Sequence, residues 1–324
     1  MQRQRRASRT PTDYARILDA YEVYALEHSK SKRPDRKSHR NHMSMARQTT
    51  AWLQDTVPDI ADLASDSVRE YQRELEGKYS GWTVWHRVTK LRLLLDQAVH
   101  LGMLSENPAR ELTLRQPKVV SGRRILTGEE IHHLLDCSPS YRQWMHGGLP
   151  SAVRLGLYAG LRNEEMCWAK WEWLDTRRRV LTVQRSVCEL TGEEWIPKDY
   201  EMRRLDVKSE LVDYLEGERT RQQNEGLFGP FILPAGGRGK MGYFGKPLSQ
   251  GTPQKAFARM IAAEEIDPAV TLYSLRHTYA TMLLRNHVEL RTVQSRLGHS
   301  SIRTTESYLH EIEPEGHPTD RLPY

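Results

Sequence analysis

Residues 297–308 read Leu297-Gly298-His299-Ser300-Ser301-Ile302-Arg303-Thr304-Thr305-Glu306-Ser307-Tyr308. A Gly-His turn precedes a short helical stretch, and that stretch delivers a tyrosine nine residues after the histidine. Upstream stand Arg162, in a helix–turn–helix junction, Lys198, in a β-hairpin, and Arg276, near a helix start. Two arginines, a lysine, a histidine and a tyrosine suffice to break a phosphodiester by covalent attack without a metal. The transition state is five-coordinate phosphorus with added charge on its non-bridging oxygens. A guanidinium is always charged and can grip two such oxygens at once, so Arg162 and Arg276 from separate segments can clamp the group. A phenol has a free pKa of about 10, and nearby cations favour its phenolate. A lysine on a mobile hairpin can protonate the departing 5′ oxygen, and Lys198, after Pro197, is the candidate. Lys208 and Lys170 are weaker substitutes.

Each residue alone has an ordinary reading. Arg162 can pair with Glu164 or Glu165, His299 can close a helix end, and Tyr308 can be a half-buried aromatic. Those readings leave the joint order and spacing unexplained.

The elements that must position these groups can be read along the chain. Its 324 residues leave room for two domains, and 38% hydrophobic against 28% charged residues argues for packed cores. The net charge is +6, yet residues 1–50 hold 12 Lys and Arg against 5 Asp and Glu, so the rest is nearly balanced. A polyanionic partner and a solubilising tail both fit that asymmetry. Three cysteines, Cys137, Cys167 and Cys188, are too few for a disulfide framework and fit a cytoplasmic location. No apolar stretch approaches the roughly 20 residues of a membrane span, and Met1–Thr10, basic but followed by Asp13 and Tyr14 rather than an apolar segment, does not read as a secretory signal.

Residues 1–10 read as a flexible basic N-terminus. A helical domain follows over 11–113, with a helix from Pro11-Thr12-Asp13, a basic linker over 31–41, and helices near 41–56 and 66–77. After Gly81 an apolar stripe, Val84, Val88, Leu91, Leu95 and Ala98, predicts a helix ending at Gly102. Residues 114–126 read as a second basic linker, either laid along phosphates or a plain hinge.

The next domain, 127–310, opens on a capping box at Thr127 and Glu130. A helix over 151–159 should end at a left-handed Gly160, with Asn163 capping the next helix. Strands follow over 180–187, 193–197 and 204–207, with a turn at Thr191-Gly192. Helices resume over 209–222, 248–264, 274–285, 288–297 and 301–308. The stretch Gly229–Gly245 reads as a loop without a phosphate-binding signature. The fold class is mainly α with a small antiparallel sheet, an all-helical domain plus an α+β domain.

Residues 127–310 resemble the catalytic domain of the tyrosine recombinase (phage integrase) family. Ala159-Gly160-Leu161-Arg162-Asn163-Glu164-Glu165-Met166 is similar to its first arginine box, with Glu164 where a small residue is usual. Lys198 with Arg203-Arg204-Leu205 resembles the hairpin lysine segment. Leu275-Arg276-His277-Thr278-Tyr279-Ala280-Thr281 is similar to the second arginine box, and Leu297-Gly298-His299 with Tyr308 to the last. The resemblance implies Tyr308 as nucleophile, assisted by Arg162, Arg276, His299 and Lys198. Tyr273 stands where the family usually has a histidine that assists proton transfer, and His277 is read as structural.

The resemblance also makes 11–113, with its closing Asn107-Pro108, a core-binding domain. It implies duplex DNA as partner, a tetramer on DNA, accessory DNA-bending or directionality proteins, and neither metal nor cofactor. Strands would be cut and rejoined through a 3′-phosphotyrosine, as a mobile element's integrase does. The alternative is a recombinase-like DNA-binding protein with weakened catalysis. Lys32, Arg33, Arg36, Lys37, Arg115, Lys118, Arg123 and Arg124 are the expected phosphate contacts. The tail 311–324 either docks on a neighbour or frays.

Overall fold

A computed structural model describes residues 12–28, 37–117, 124–145, 148–197, 201–235 and 245–309. The chain divides into two compact units, 1–120 and 121–324. Among the described residues no helix is long and apolar enough to cross a membrane.

The first unit is built from α1 (Asp13–Glu27), α2 (Lys37–Thr56), α3 (Ser65–Lys78) and α4 (Gly81–His100). Thr12 caps α1 by accepting from the Ala15 amide at 3.3 Å. The α4 stripe Val84, Val88, Leu91, Leu95 and Ala98 is buried throughout, against Tyr14, Ile17 and Tyr21 of α1 and Val68, Tyr71 and Leu75 of α3. Buried hydroxyls find partners: Tyr14 donates to Val57 O at 2.6 Å, and Tyr71 and Thr49 share a bond of 2.8 Å. After α4, Asn107 donates to Arg92 O and Asp96 Oδ1 and accepts from the Ala109 amide, which fixes the turn at Pro108.

One expectation is corrected here. The basic linker over 31–41 is shorter, because α2 already runs from Lys37. His39 is 4% exposed and bonds to Glu22 at 3.1 Å, and Met43 and Ala46 are buried after it. That buried face extends the helix beyond what the polar residues before it indicate.

The second unit starts with α5 (Gly128–Cys137), whose capping box pairs the Thr127 side chain with the Glu130 amide and the Glu130 carboxylate with the Thr127 amide. Then come α6 (Gly148–Ala159) and α7 (Asn163–Trp168). Strands β1 (Leu174–Asp175), β2 (Val180–Val183) and β5 (Arg203–Asp206) form an antiparallel sheet in the order β1-β2-β5. Strands β3 (Ser186–Val187) and β4 (Glu194–Trp195) make a separate hairpin across Gly192. Helices α8 (Ser209–Asn224), α9 (Gly251–Ala263), α10 (Leu272–Arg285), α11 (Leu290–Leu297) and α12 (Ile302–Glu306) complete the unit.

Several boundaries move for identifiable reasons. Helix α6 starts at Gly148 because Pro150 is tolerated in a first turn, where its missing N–H has no helical partner. Arg162, not Asn163, is the N-cap of α7. Helix α10 starts at Leu272, so Arg276 is its fifth residue rather than a first-turn one, and the free amide groups of that helix start lie before it. The stretch 229–245 is not simply a surface loop. Phe231, Ile232 and Leu233 are at most 1% exposed, and Phe231 bridges to Lys170 as an isolated β pair. Three consecutive apolar residues between glycines are too short for a periodicity to show.

Gly160 has φ +60 and ends α6 with its own amide on Gly156 O and the Leu161 amide on Leu155 O. A Cβ there would lie 2.3 Å from the Tyr279 ring. Gly160→Ala should therefore destabilise the protein by more than the ~1–2 kcal/mol of a left-handed alanine alone. Gly77→Ala, in α3 with open space around it, should be neutral or stabilising by up to ~1 kcal/mol. Thermal unfolding of both variants checks this; equal midpoints would contradict it.

Candidate active site

Three of the expected groups meet where α6, α10 and α11 end or begin. Arg276 is 0% exposed on α10. Its Nη1 donates to Gly160 O at 2.6 Å and its Nη2 to Leu297 O at 2.5 Å. Arg162 donates its amide to Glu165 Oε2 at 2.7 Å, Nη1 to Glu165 Oε1 at 3.0 Å and Nη2 to Gly298 O. Gly298 caps α11 with φ +61, and the chain then turns to present His299. The carbonyls facing the two guanidiniums thus belong to the C-terminal ends of α6 and α11, where helix dipoles favour cations.

His299 Nε2 lies 3.3 Å from Arg276 Nη2, and Nδ1 lies 2.9 Å from Thr305 Oγ1. A guanidinium cannot accept a hydrogen bond, so Nε2 is the acceptor and the ring proton sits on Nδ1, donating to Thr305. Tyr308 follows α12 and is 2% exposed. Its ring stacks at 7° and 6.2 Å from His299 and lies 5.2 Å from His277. His277 is therefore part of the tyrosine's surroundings, although its position one residue after Arg276 suggests only a structural place on the helix. It also holds the ring of Tyr273 edge-on at 4.3 Å. Tyr273 itself is 47% exposed and lines a cavity of about 460 Å³ with Phe257, Ile261, Val270 and Leu272.

The residue that binds the cluster together is Glu165, 1% exposed. Besides Arg162 it takes Arg203 Nη1 on Oε1 at 2.8 Å and Arg203 Nη2 on Oε2 at 2.6 Å, with Arg276 Nη1 at 3.8 Å. Burial works to raise the carboxyl's pKa, yet Arg203, then Arg276 and Arg162, overcome it and hold the group down to about 2. Burial presses Arg276 away from its charged form, against the pull of Glu165, and Arg162 and Arg203 push the same way as burial.

Arg203 is a site residue that the motif reading passed over as part of the lysine segment. The clue lies in strand alternation: β5 buries Arg203 and Leu205 and exposes Arg204 and Asp206, so Arg203 shares the inward face of a core leucine.

The remaining expected residues fall elsewhere. Lys198 lies outside the described residues, as do Lys32, Arg33, Arg36, Lys118 and Arg123; Lys37 is the first residue of α2. Arg115 is exposed in the first unit. Arg124 pairs with Glu130 and, at 3.1 Å, with Asp267. Lys170 faces Glu172 and the Phe231 ring, and Lys208 faces Glu210 and the Tyr158 ring. Donors of His133, Cys137 and Glu264 lie within 4.8 Å of one another. Both Glu264 oxygens are already engaged, by His133 at 2.9 Å and Tyr141 at 2.5 Å, so we assign no metal there.

Arg162, Arg203, Arg276 and His299 thus converge with Tyr308 in the second unit. The phage integrase family's sequence profile matches residues 124–314, more than half of the chain, and the chain belongs to that family, the tyrosine-type site-specific DNA recombinases. It is 27% identical over 276 residues to the tyrosine recombinase XerC-like protein of Caldanaerobacter subterraneus subsp. tengcongensis, covering 78% of this chain and 68% of the relative. Its fold is similar to that of the Tn1549 transposon integrase solved with a circular intermediate DNA (TM-score 0.67, 18% identity, 90% of this chain and 94% of the other). It is also similar to lambda integrase solved as a tetramer on a Holliday junction (TM-score 0.63, 19% identity, 95% and 79% covered).

The Glu165 carboxyl has a folded pKa below its unfolded value. Its stabilising effect is therefore complete above about 4.5 and is lost as pH falls towards about 2. Unfolding free energy followed through that window should fall more steeply for the unmutated protein than for Glu165→Gln. Parallel slopes would show that the carboxylate is not held as described.

Proposed function

We propose that this chain cuts and rejoins DNA strands through a covalent 3′-phosphotyrosine on Tyr308, as the integrase of a mobile element. The observation that carries this is the pair of guanidiniums, Arg162 and Arg276, held at helix ends beside His299, whose ring is parallel to that of Tyr308. The scissile phosphodiester sits between the two arginines. The phenol oxygen bonds to phosphorus and the bond to the 5′ oxygen breaks. Once the phosphate draws the Arg276 donor off Nε2, His299 takes the phenol proton there, and Lys198 supplies a proton to the departing oxygen. The reverse attack by a DNA hydroxyl releases Tyr308 and completes strand exchange.

Tyr308 is 2% exposed, so its phenol reaches a duplex only after the α12 turn moves outward. That turn is short and is held by bonds such as Ser307 N to Arg303 O at 3.3 Å and Tyr308 N to Thr305 O at 3.0 Å. Tyr273 lies at the rim of this arrangement, and the Arg276 contacts do not depend on it. Four protomers assemble on paired sites, a reading supported by the lambda integrase tetramer. Arg115 and the basic stretches around 32–37 and 118–123 meet phosphates, whereas Arg124 is engaged by Glu130 and Asp267. DNA-bending or directionality proteins act as accessory partners.

Tyr308→Phe should keep DNA binding and abolish the covalent adduct on a nicked recombination site, measured by denaturing electrophoresis. An adduct that survives removes Tyr308 from its role. DNA binding without any adduct from the unmutated protein supports a binding protein instead. The mobile-element assignment expects recombination at sites flanking the encoding gene, and activity confined to a distant chromosomal site contradicts it.

A further inference from the structure

The two clamp arginines compete with a neighbour for their own charge. Glu165 is a buried carboxylate in contact with Arg162 and 3.8 Å from Arg276. Left to those two, it would fold its charge into the clamp and oppose any phosphate entering it, since the low dielectric of a buried site magnifies such terms. The geometry assigns that carboxylate mainly to Arg203. Arg203 engages both oxygens, at 2.8 and 2.6 Å, in the two-pronged arrangement that suits a guanidinium. Its Nε donates to Arg296 O at 2.9 Å, so the whole fork is fixed. Its Nη1 would lie 3.2 Å from a Cβ at Gly298, so the glycine that turns the chain to His299 also makes room for Arg203. Arg276 places its hydrogen bonds on the neutral carbonyls Gly160 O and Leu297 O, which orient it without cancelling its charge, whereas Arg162 divides its guanidinium between Gly298 O and Glu165 Oε1, the oxygen it shares with Arg203.

We propose that Arg203 is a positioning residue for strand cleavage: it neutralises Glu165 so that Arg162 and Arg276 meet the scissile phosphate with their charge intact. With Arg203 present, three guanidiniums face one carboxylate, a formal +2. Without it the balance falls to +1, and the surplus negative charge rests on the clamp. This role rests on the cleavage reading given above. It differs from simple structural support in one respect. If Arg203 acts by cancelling Glu165, removing the carboxylate should repair the loss of Arg203; if Arg203 acts by packing, the two losses should add.

The test measures single-turnover adduct formation on a nicked site at saturating protein, with DNA affinity and thermal midpoint measured alongside. Arg203→Met should slow adduct formation by about 100-fold, the scale of losing one charged donor from such a site, with DNA affinity little changed. The double variant Arg203→Met with Glu165→Gln should recover about tenfold or more of that loss. Arg203→Lys, which keeps the charge but not the fork, should stay within about tenfold of the unmutated rate. A double variant as slow as Arg203→Met, or slower, overturns the proposal. Should Arg203→Met fail to fold, Arg203→Lys decides: a rate as low as that of Arg162→Ala shows that charge cancellation is not the role. No adduct from the unmutated protein refutes the cleavage reading and this role with it, whereas adduct without rescue refutes this role alone.

Discussion

One buried carboxylate organises the catalytic unit. Glu165 is almost fully removed from water and would be costly there as a lone anion. It is retained because Arg203, Arg162 and Arg276 converge on it from β5, the α7 cap and α10. Those cations would repel one another without it. The anion and the cations are therefore each other's condition for burial, and the surrounding elements are arranged to bring them together.

Helix ends do much of that arranging. Gly160 and Gly298 both take left-handed conformations, and both end helices whose last carbonyls face a guanidinium. The turn after Gly298 also places His299 against Arg276 and, through Thr305, ties the histidine to the segment that carries Tyr308. The helical core beneath is ordinary apolar packing: Leu275 and Ala280 of α10 are buried, as are Leu155 and Ala159 of α6. Packing sets where the backbone runs; the ion cluster sets what the exits of the helices present.

Much of this was legible in the residues themselves. The α4 stripe follows a helical period, the Thr127 capping box is local, and Gly160 marks a helix end wherever it occurs before a new capped segment. Arg162, Arg276, His299 and Tyr308 could be recognised because their boxes are local in sequence. Other features depend on contacts far apart in the chain. The partnership of Arg203 with Glu165 joins residues 38 positions apart; the alternation of β5 turns Arg203 inward but does not name its partner. His277 looks like filler in its own helix and acquires meaning only when Tyr308 packs on it. Phe231, Ile232 and Leu233 are core residues in a stretch whose glycines point to a loop. The start of α2 was hidden because its first turn is polar and only His39 and Met43 reveal its buried side.

In the proposed mechanism a single phenol, that of Tyr308, joins protein to DNA, although Tyr273 is far more exposed and shares the His277 ring with it. Mass spectrometry of the nuclease-trimmed adduct formed on a nicked site tests this most directly. A nucleotide linked to the peptide carrying Tyr308 is the predicted result. Linkage to Tyr273, or to any other residue, would contradict it.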